Sequence, residues 1–235
     1  MFVAGCGMEA QIDGIAAGAS RRVDGQEAAG PSTTRLILLN WDGGVSRIYP
    51  DVFFPGMEYG DFRIVGGGTL ADRSEQFQEA VRVQVLKILA ELPYSISVET
   101  ADGEGAVEDA TVVYFTQANQ PDGGSNVGEG EYDPCDRHGD DEALIYGESL
   151  RQLFSRAELG FDEWVTVFSN VCAHEVGHTL GYGHISRKDE SEAFHGKYVE
   201  LMLDRHSVEE IRREQRLIVP QATCPGNELH ASSGG

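Results

Sequence analysis

The sequence has no long uninterrupted apolar stretch, and it has few basic residues. A membrane-spanning helix needs about 18–20 consecutive apolar residues, and no segment approaches that length, which excludes a multi-pass membrane protein. Only 18 lysines and arginines stand against 39 acidic residues, which gives a formal net charge of -21. Because binding to a nucleic-acid backbone depends on basic side chains that replace counterions, this shortage excludes a general nucleic-acid binder.

The chain is long enough for one folded domain with a sizeable core. It has 235 residues, of which 40% are hydrophobic, which suits one domain and is not clearly enough for two independent ones. Residues 1–33 are rich in Gly, Ala, Ser, Asp and Glu and lack a hydrophobic period, which predicts a flexible tether. Residues 220–235 carry two prolines and a Ser-Ser-Gly-Gly run, and they are predicted to form a flexible tail. The folded domain is therefore expected over 34–219.

Cysteine is also scarce, and the first of the four cysteines stands near the N-terminus. The run Val3-Ala4-Gly5-Cys6 resembles the lipobox of bacterial lipoproteins, whose cysteine receives lipid. Only five residues precede Cys6, fewer than the basic start and the apolar run of about 7–15 residues in a complete signal. Two interpretations stay open: a truncated or internal start, and an accidental match. A tether of this composition predicts an extracellular or cell-envelope location, with membrane contact only through a lipid at Cys6.

The remaining cysteines leave the disulfide pattern open. They are Cys135, Cys172 and Cys224. If Cys6 carries lipid, these three allow at most one disulfide. A Cys135–Cys224 pair is slightly favoured, because both residues lie in loop-like segments beside a proline. A chain with all its thiols unpaired is almost equally compatible with the sequence.

Hydrophobic patterns predict a sheet with helices packed on it. Strands are expected over 35–41, 95–100, 111–116 and 143–149. Asp72 can cap a helix whose apolar residues recur in steps of four and three and which ends before Pro93. The glycine-rich segments 43–71 and 117–142 are predicted as loops, the first with one short strand. This order of elements indicates the α/β (α+β) class.

A second helix is expected from Asp162, because its apolar residues lie nearly all round the helix and indicate burial. It contains His174-Glu175-Val176-Gly177-His178, in which two imidazoles lie one turn apart on the same face. Gly181 can end the helix in a left-handed conformation, so that His184 turns back towards the first two histidines. Three imidazoles with one open position are the set expected for a catalytic zinc ion. Glu175 lies beside this set and need not bind the metal.

The run His174-Glu175-x-x-His178-x-x-Gly181-x-x-His184 resembles the extended zinc motif of the metzincin metallopeptidases. That family has a methionine-containing turn beneath the metal, for which Met202 is the expected counterpart. The resemblance implies a metzincin-like mixed sheet with a long helix and a buried zinc-binding helix in an upper lobe over 34–183. A small lower lobe over 184–219 would hold the Met-turn and a last helix. The opening strand and the compact size are similar to bacterial matrixin-like members.

The resemblance also implies a function and a mechanism. The protein would be a zinc-dependent endopeptidase that hydrolyses peptide bonds through a zinc-activated water, with Glu175 as the general base. A protein or peptide substrate would lie extended along an edge strand, for which 143–149 is the expected segment. The protein is expected to be a monomer. Two alternatives stay open: a cell-surface zinc-containing binding protein with little turnover, and a zinc hydrolase of non-peptide amides.

Other metal sites have weaker signals. His138-Gly139-Asp140 is similar to part of the structural zinc site of matrix metalloproteinases, but its other ligands are not recognisable, so an exposed loop histidine is favoured. Carboxylates of the same loop could hold calcium, yet their spacing misses the EF-hand register, and a solvated acidic loop is favoured. These carboxylates are Asp133, Asp136, Asp140, Asp141 and Glu142. His195 and His206 lie in the segment expected to wall the specificity pocket, and both are interpreted as surface residues.

Overall fold

The computed structural model describes residues 34–92, 95–101, 109–124, 126–133, 139–185, 198–203 and 206–217. The strands in these ranges are β1 (Arg35–Asn40), β2 (Gly43–Val45), β3 (Phe53–Pro55), β4 (Ile96–Thr100), β5 (Ala110–Thr116), β6 (Gly128–Gly130), β7 (Glu142–Tyr146), β8 (Val199–Glu200) and β9 (Gln215–Arg216). The α-helices are α1 (Ser74–Leu89), α2 (Gly147–Leu153), α3 (Phe161–Thr179) and α4 (Val208–Ile211), and two 3₁₀ helices cover Tyr59–Asp61 and Leu70–Arg73. The predicted tether and tail, together with Cys6, Cys135, Asp136, His138, His195 and Cys224, lie outside the described residues.

Five strands form the central sheet, in the order β4-β1-β5-β7-β6. The first four run parallel, and β6 pairs with β7 in the antiparallel sense at one edge. Helices α1 and α3 pack on each other against one face of the sheet. The predicted α/β (α+β) class, a mixed sheet with a long helix, is confirmed, and it is consistent with a metzincin-like arrangement. None of the helices in the described ranges is long and apolar enough to cross a bilayer.

Both faces of the sheet are covered, which is why its central strands read as continuous apolar runs. On the helix side, the ring of Phe115 stacks on Trp41 with 3.8 Å between centroids and lies 6.2 Å from Phe168 of α3. On the opposite face, Tyr114 and Leu144 belong to a separate buried cluster. Because α3 is packed into the first cluster, the polar residues near its C-terminal end are carried to a fixed place beside the sheet.

The first helix begins later than the capping pattern predicted. Asp72 was expected at its start, but it lies inside the 3₁₀ helix Leu70–Arg73, where its carboxylate accepts a hydrogen bond from the Thr69 N–H at 2.8 Å. The α-helical turns then begin at Ser74. The apolar residues predicted from spacings of four and three nevertheless form the buried face of α1. The buried residues of this helix are Phe77, Val81, Val85, Ile88 and Leu89.

The segment predicted as the substrate edge is not an edge. Strand β7 covers only the first part of the predicted strand 143–149, and helix α2 begins at Gly147. β7 lies between β5 and β6, so its main chain is paired on both sides. The edge is β6, which lies inside the predicted loop 117–142. Two more short strands, β2 and β3, pair antiparallel within the predicted loop 43–71, where one was expected.

One short helix lies in the described C-terminal residues, where the resemblance implied a last helix. The last helix in the described ranges, α4, is a single turn of four residues. It is capped by Ser207, whose Oγ accepts from the Glu210 N–H, while the Glu210 carboxylate accepts from the Ser207 N–H at 2.7 Å. Strands β8 and β9 pair parallel on either side of it in the chain. This pair positions the turn that contains Met202.

The carboxylates of the acidic loop are less solvated than predicted. Asp133, Asp141 and Glu142 are buried, and Glu142 is only 2% exposed. The Glu142 carboxylate accepts hydrogen bonds from the Ser46 hydroxyl at 2.7 Å and from the Arg47 N–H at 2.6 Å, and the Arg47 guanidinium lies 3.3 Å away. The prediction of a solvated loop is therefore wrong for these three residues. At Glu142, the charge of Arg47 and the donors of Ser46 and Arg47 replace water.

We expect Glu142→Ala to lower the free energy of unfolding by about 2 kcal/mol, because the Ser46 hydroxyl and the Arg47 N–H lose their buried acceptor. Urea denaturation of the metal-free protein measures this change. The control is Glu58→Ala at an exposed position, for which a change within about 0.5 kcal/mol is expected. Equal stability of the two variants would contradict a structural role for the Glu142 carboxylate.

Candidate metal centre

Helix α3 carries the predicted site residues, and hydrogen bonds fix both of its ends. At its start the Glu163 carboxylate accepts from the Gly160 N–H at 2.8 Å, and this bond, followed by one from Arg212, lowers the pKa of Glu163. At its end Gly181 has a φ of 87°, and its N–H donates to the His178 carbonyl at 2.9 Å. This left-handed residue ends the helix and redirects the chain towards His184.

Three histidine side chains converge on one point. The Nε2 atom of His184 lies 3.2 Å from Nε2 of His174 and 3.0 Å from Nε2 of His178. Imidazoles bound tetrahedrally to zinc, at about 2.0–2.1 Å each, place their nitrogens about 3.3 Å apart. The spacing of the three nitrogen atoms therefore fits a common metal ion.

Hydrogen bonds at the Nδ1 atoms of His174 and His178 fix the orientation of these two rings. Nδ1 of His174 lies 2.7 Å from the Leu201 carbonyl, and Nδ1 of His178 lies 2.8 Å from the Tyr182 carbonyl. A carbonyl only accepts, so each Nδ1 carries the proton and each neutral ring presents a bare Nε2 lone pair. Burial lowers the pKa of His174 well below its usual value and that of His178 to about 4. Both rings are neutral at pH 7, as metal ligands must be.

This histidine group is distinct among the described residues. It is their only cluster of three or more His, Cys, Asp or Glu side chains whose ligand atoms come close enough to share a metal ion. His174 and His178 are buried, whereas His184 is exposed, so the group opens to solvent on one side. Cys172 on the same helix is a buried free thiol, and burial raises its pKa, so it supplies no thiolate. The three histidines could thus hold a metal ion.

The carboxylate of Glu175, the residue after His174 on α3, lies beneath the edge strand. Glu175 is 2% exposed. A Cβ atom at Gly128 would lie 2.7 Å from Cγ and from Oε1 of Glu175, and one at Gly130 would lie 2.5 Å from the Glu175 carbonyl oxygen. Only glycine therefore allows β6 to approach α3 this closely. The sequence analysis missed both glycines, although the Gly-Glu-Gly spacing is a signal of close main-chain approach.

The turn at Met202 is bonded through its main chain on every side. The Leu201 N–H donates to the Arg216 carbonyl at 2.8 Å, and the Met202 N–H donates to a Glu200 carboxylate oxygen at 3.1 Å. The Met202 carbonyl accepts from the Ile185 N–H at 2.7 Å. The Met202 side chain is fully buried. The turn is thereby bonded to Ile185, the residue that directly follows the third histidine, His184.

Gly177 is a further residue whose role the motif did not explain. A Cβ atom here would lie 2.5 Å from Sδ of Met202. Gly177 stands between His174 and His178 on α3, so the thioether packs against the main chain of the helix turn that joins these two histidines. Glycine is required at this contact.

His206 does not lie on the surface, contrary to the interpretation from sequence. It is half-buried, its Nε2 lies 3.0 Å from the Leu201 carbonyl, and its ring is perpendicular to that of His174 with 5.8 Å between centroids. Nothing in its local pattern distinguishes it from an exposed histidine, which is why the sequence favoured a surface position.

The sequence matches no protein-family model and no curated protein. Among solved structures it matches metalloproteinase-II from Bacteroides fragilis with 14% sequence identity and a TM-score of 0.34, over 82% of this chain. The match spans 56% of the length of that chain. Any functional argument for this protein therefore rests on its own residues.

We expect Gly177→Ala to destabilise the metal-free protein by about 1–3 kcal/mol, because the added methyl group overpacks the Met202 thioether. The double variant Gly177→Ala with Met202→Ala makes room for that methyl group. Its loss of stability, measured by urea denaturation, should be smaller than the sum of the two single losses. Strict additivity would contradict the contact, and Thr166→Ala on the exposed side of α3 serves as the control.

Proposed function

We propose that this chain is a zinc-dependent endopeptidase. The proposal is carried by one observation: three imidazole Nε2 atoms converge on one point, and the residue that follows the first of these histidines on α3 is the buried Glu175. A metal-binding protein without turnover needs the histidines but gives no reason for a carboxylate at this place. The location outside the cytoplasm or at the cell envelope, the monomeric state and the peptide substrate are parts of the same proposal.

Zinc is the metal that we propose for the three histidines. Imidazole ligands suit zinc, and three protein ligands leave a position for water or substrate. The exposed His184 leaves that position accessible from solvent. When bound, zinc would lower the pKa of a coordinated water towards about 7 and polarise the substrate carbonyl.

The side chains of this protein would hold the ligands and move the protons. The Leu201 and Tyr182 carbonyls keep the Nδ1 protons of His174 and His178 in place, so that each Nε2 stays available to the metal. The Glu175 carboxylate accepts a proton from the attacking water as the water oxygen bonds to the carbonyl carbon of the substrate. The same carboxylate then delivers that proton to the amide nitrogen as the C–N bond breaks. The products are a carboxyl terminus and a free amine, so the atoms of water are accounted for.

Strand β6 is the element along which we propose that the substrate lies. The Val127 carbonyl accepts from the Tyr146 N–H of β7 at 2.9 Å. The Glu131 N–H donates to the Glu142 carbonyl of β7, also at 2.9 Å. Because antiparallel strands alternate their main-chain directions, Gly128 and Gly130 direct their N–H and C=O groups away from β7. An extended peptide can pair with these groups by strand addition. Their positions above Glu175 would bring a peptide bond to the metal centre.

Tyr132 extends this proposed substrate site. It follows β6 in the chain, its side chain is 57% exposed, and its ring is perpendicular to that of His178 with 6.3 Å between centroids. An exposed aromatic ring beside a metal ligand offers apolar contact area to a substrate side chain. We therefore propose that Tyr132 contacts the residues that flank the scissile bond.

We expect Glu175→Gln to bind zinc stoichiometrically and to lose about 10²–10⁴-fold in kcat, because the amide cannot accept and return the proton. Cleavage of a fluorogenic peptide library, with metal analysis of the same samples, measures both. Glu209→Gln, at an exposed position, is the control and should keep full activity. Comparable turnover by Glu175→Gln would contradict its role as the general base.

The same peptide-cleavage and metal assays on the unsubstituted protein distinguish the endopeptidase from the zinc-binding protein and from the hydrolase of non-peptide amides. Peptide cleavage that a chelator removes and zinc restores would support the endopeptidase. Stoichiometric zinc without cleavage of any peptide would favour the binding protein. Cleavage restricted to non-peptide amides would favour the third function.

We expect Gly128→Ala to reduce kcat/KM by at least about tenfold, because a methyl group displaces either the edge strand or the Glu175 carboxylate by several tenths of an ångström. Gly60→Ala is the matched control, since a Cβ atom there meets no atom within 4 Å. Peptide cleavage and zinc content are measured for both variants. Unchanged activity of Gly128→Ala would contradict the proposed placement of the substrate along β6.

A further inference from the structure

A chain of hydrogen bonds connects the C-terminal strand to a metal ligand. The Gln215 side-chain amide of β9 lies 3.3 Å from Nδ1 of His206. Nε2 of His206 lies 3.0 Å from the Leu201 carbonyl, and the same carbonyl lies 2.7 Å from Nδ1 of His174. Two histidine rings from distant parts of the chain therefore meet at one main-chain oxygen.

The direction of each hydrogen bond follows from the groups involved. The Leu201 carbonyl can only accept, so Nε2 of His206 carries the proton and donates it. Nδ1 of His206 is then the acceptor for the Gln215 amide NH₂. That NH₂ group also donates to the Glu210 carbonyl at 3.2 Å, so both of its hydrogens are used. Both lone pairs of the Leu201 oxygen are occupied, one by each histidine.

The surroundings give this arrangement little freedom. Gln215 is 1% exposed, and β9 pairs with β8 through Val199. The Leu201 N–H is bonded to the next residue of β9, Arg216. The peptide plane before Leu201 is thus held through its N–H. The next plane, which contains the Leu201 oxygen, is held by the Met202 N–H, which donates to the Glu200 carboxylate at 3.1 Å, and His206 bonds to the oxygen itself.

We infer that His206, held by Gln215, is a positioning residue for the metal centre. By anchoring the Leu201 carbonyl it keeps the acceptor of the His174 Nδ1 proton in place, and so it sets the direction of the His174 Nε2 lone pair. It does not itself bind the metal. This inference rests on the proposed metal centre and deepens it, since partners behind a ligand commonly determine metal affinity.

The test replaces His206 and measures zinc affinity by competition with a chromophoric chelator. His206→Phe keeps a flat ring but lacks the donor, and it should weaken zinc binding by about 10–100-fold. His206→Gln retains an amide donor and should recover part of this loss. Gln215→Met removes the donor behind His206 and should weaken binding to an intermediate extent. The cobalt-substituted His206→Phe protein should show a visible absorption spectrum that differs from that of the parent.

A matched control separates positioning from general stability. Asn170 lies one turn before His174 on α3, and its side-chain amide donates to the Ile211 and Arg213 carbonyls at 2.8 and 2.7 Å. It ties the same helix to the same C-terminal segment without contact to the Leu201 oxygen. Asn170→Ala should lower the thermal unfolding temperature of the metal-free protein more than His206→Phe does, and it should retain most of the zinc affinity.

The outcomes distinguish this inference from the proposed function. If the parent protein binds zinc tightly and His206→Phe binds it equally well, the inference is overturned while the proposed function stands. An equal loss of affinity in Asn170→Ala also overturns it, because the effect would then be structural. If His206→Phe does not fold, Gln215→Met decides, and zinc affinity equal to that of the parent overturns the inference. A parent protein that binds no zinc overturns both.

Discussion

The candidate metal centre depends on the hydrogen bonds that two buried imidazoles make at Nδ1, away from the Nε2 atoms that converge near His184. His174 and His178 each give the Nδ1 proton to a main-chain carbonyl, at 2.7 and 2.8 Å. This choice of tautomer leaves two lone pairs directed at His184, and burial keeps the rings uncharged. Without these carbonyls the rings could rotate or bind protons on the wrong side. The placement of α3 in the core keeps these two rings buried, and the turn at Gly181 brings His184 to them.

One of the two carbonyls belongs to the turn that joins β8 to the rest of the C-terminal segment. The docking of that segment and the binding of a metal ion would therefore be linked. Whatever holds Leu201 in place also favours the present direction of the His174 ring, and a bound ion would favour the docked segment in return. The thioether of Met202 against Gly177 adds a packing contact to the same connection. The C-terminal segment around Leu201 and Met202 thereby supports the histidine-bearing end of α3.

The sequence was sufficient for features that depend on local spacing. The i, i+4 histidines, the helix end at Gly181 and the apolar period of α1 follow from helix geometry alone. Strand β6 could not be predicted in this way, because two of its three residues are glycines and its alternating side-chain pattern is lost. The burial of Glu142 was equally hidden, since its partners at Ser46 and Arg47 lie 96 and 95 positions away in the chain. His206 was interpreted as a surface residue, because its local pattern carries no sign of its bond to the Leu201 carbonyl.

The short length of β6 has a consequence for the behaviour of this protein in solution. An open sheet edge invites pairing with other copies of the same chain, and long flat edges are a common start of aggregation. With three residues, only Gly128 and Gly130 present outward groups, which is too few to hold two copies together without side-chain contacts. Under the proposed function, the same shortness would let a bound peptide leave the strand again after cleavage, as repeated turnover requires.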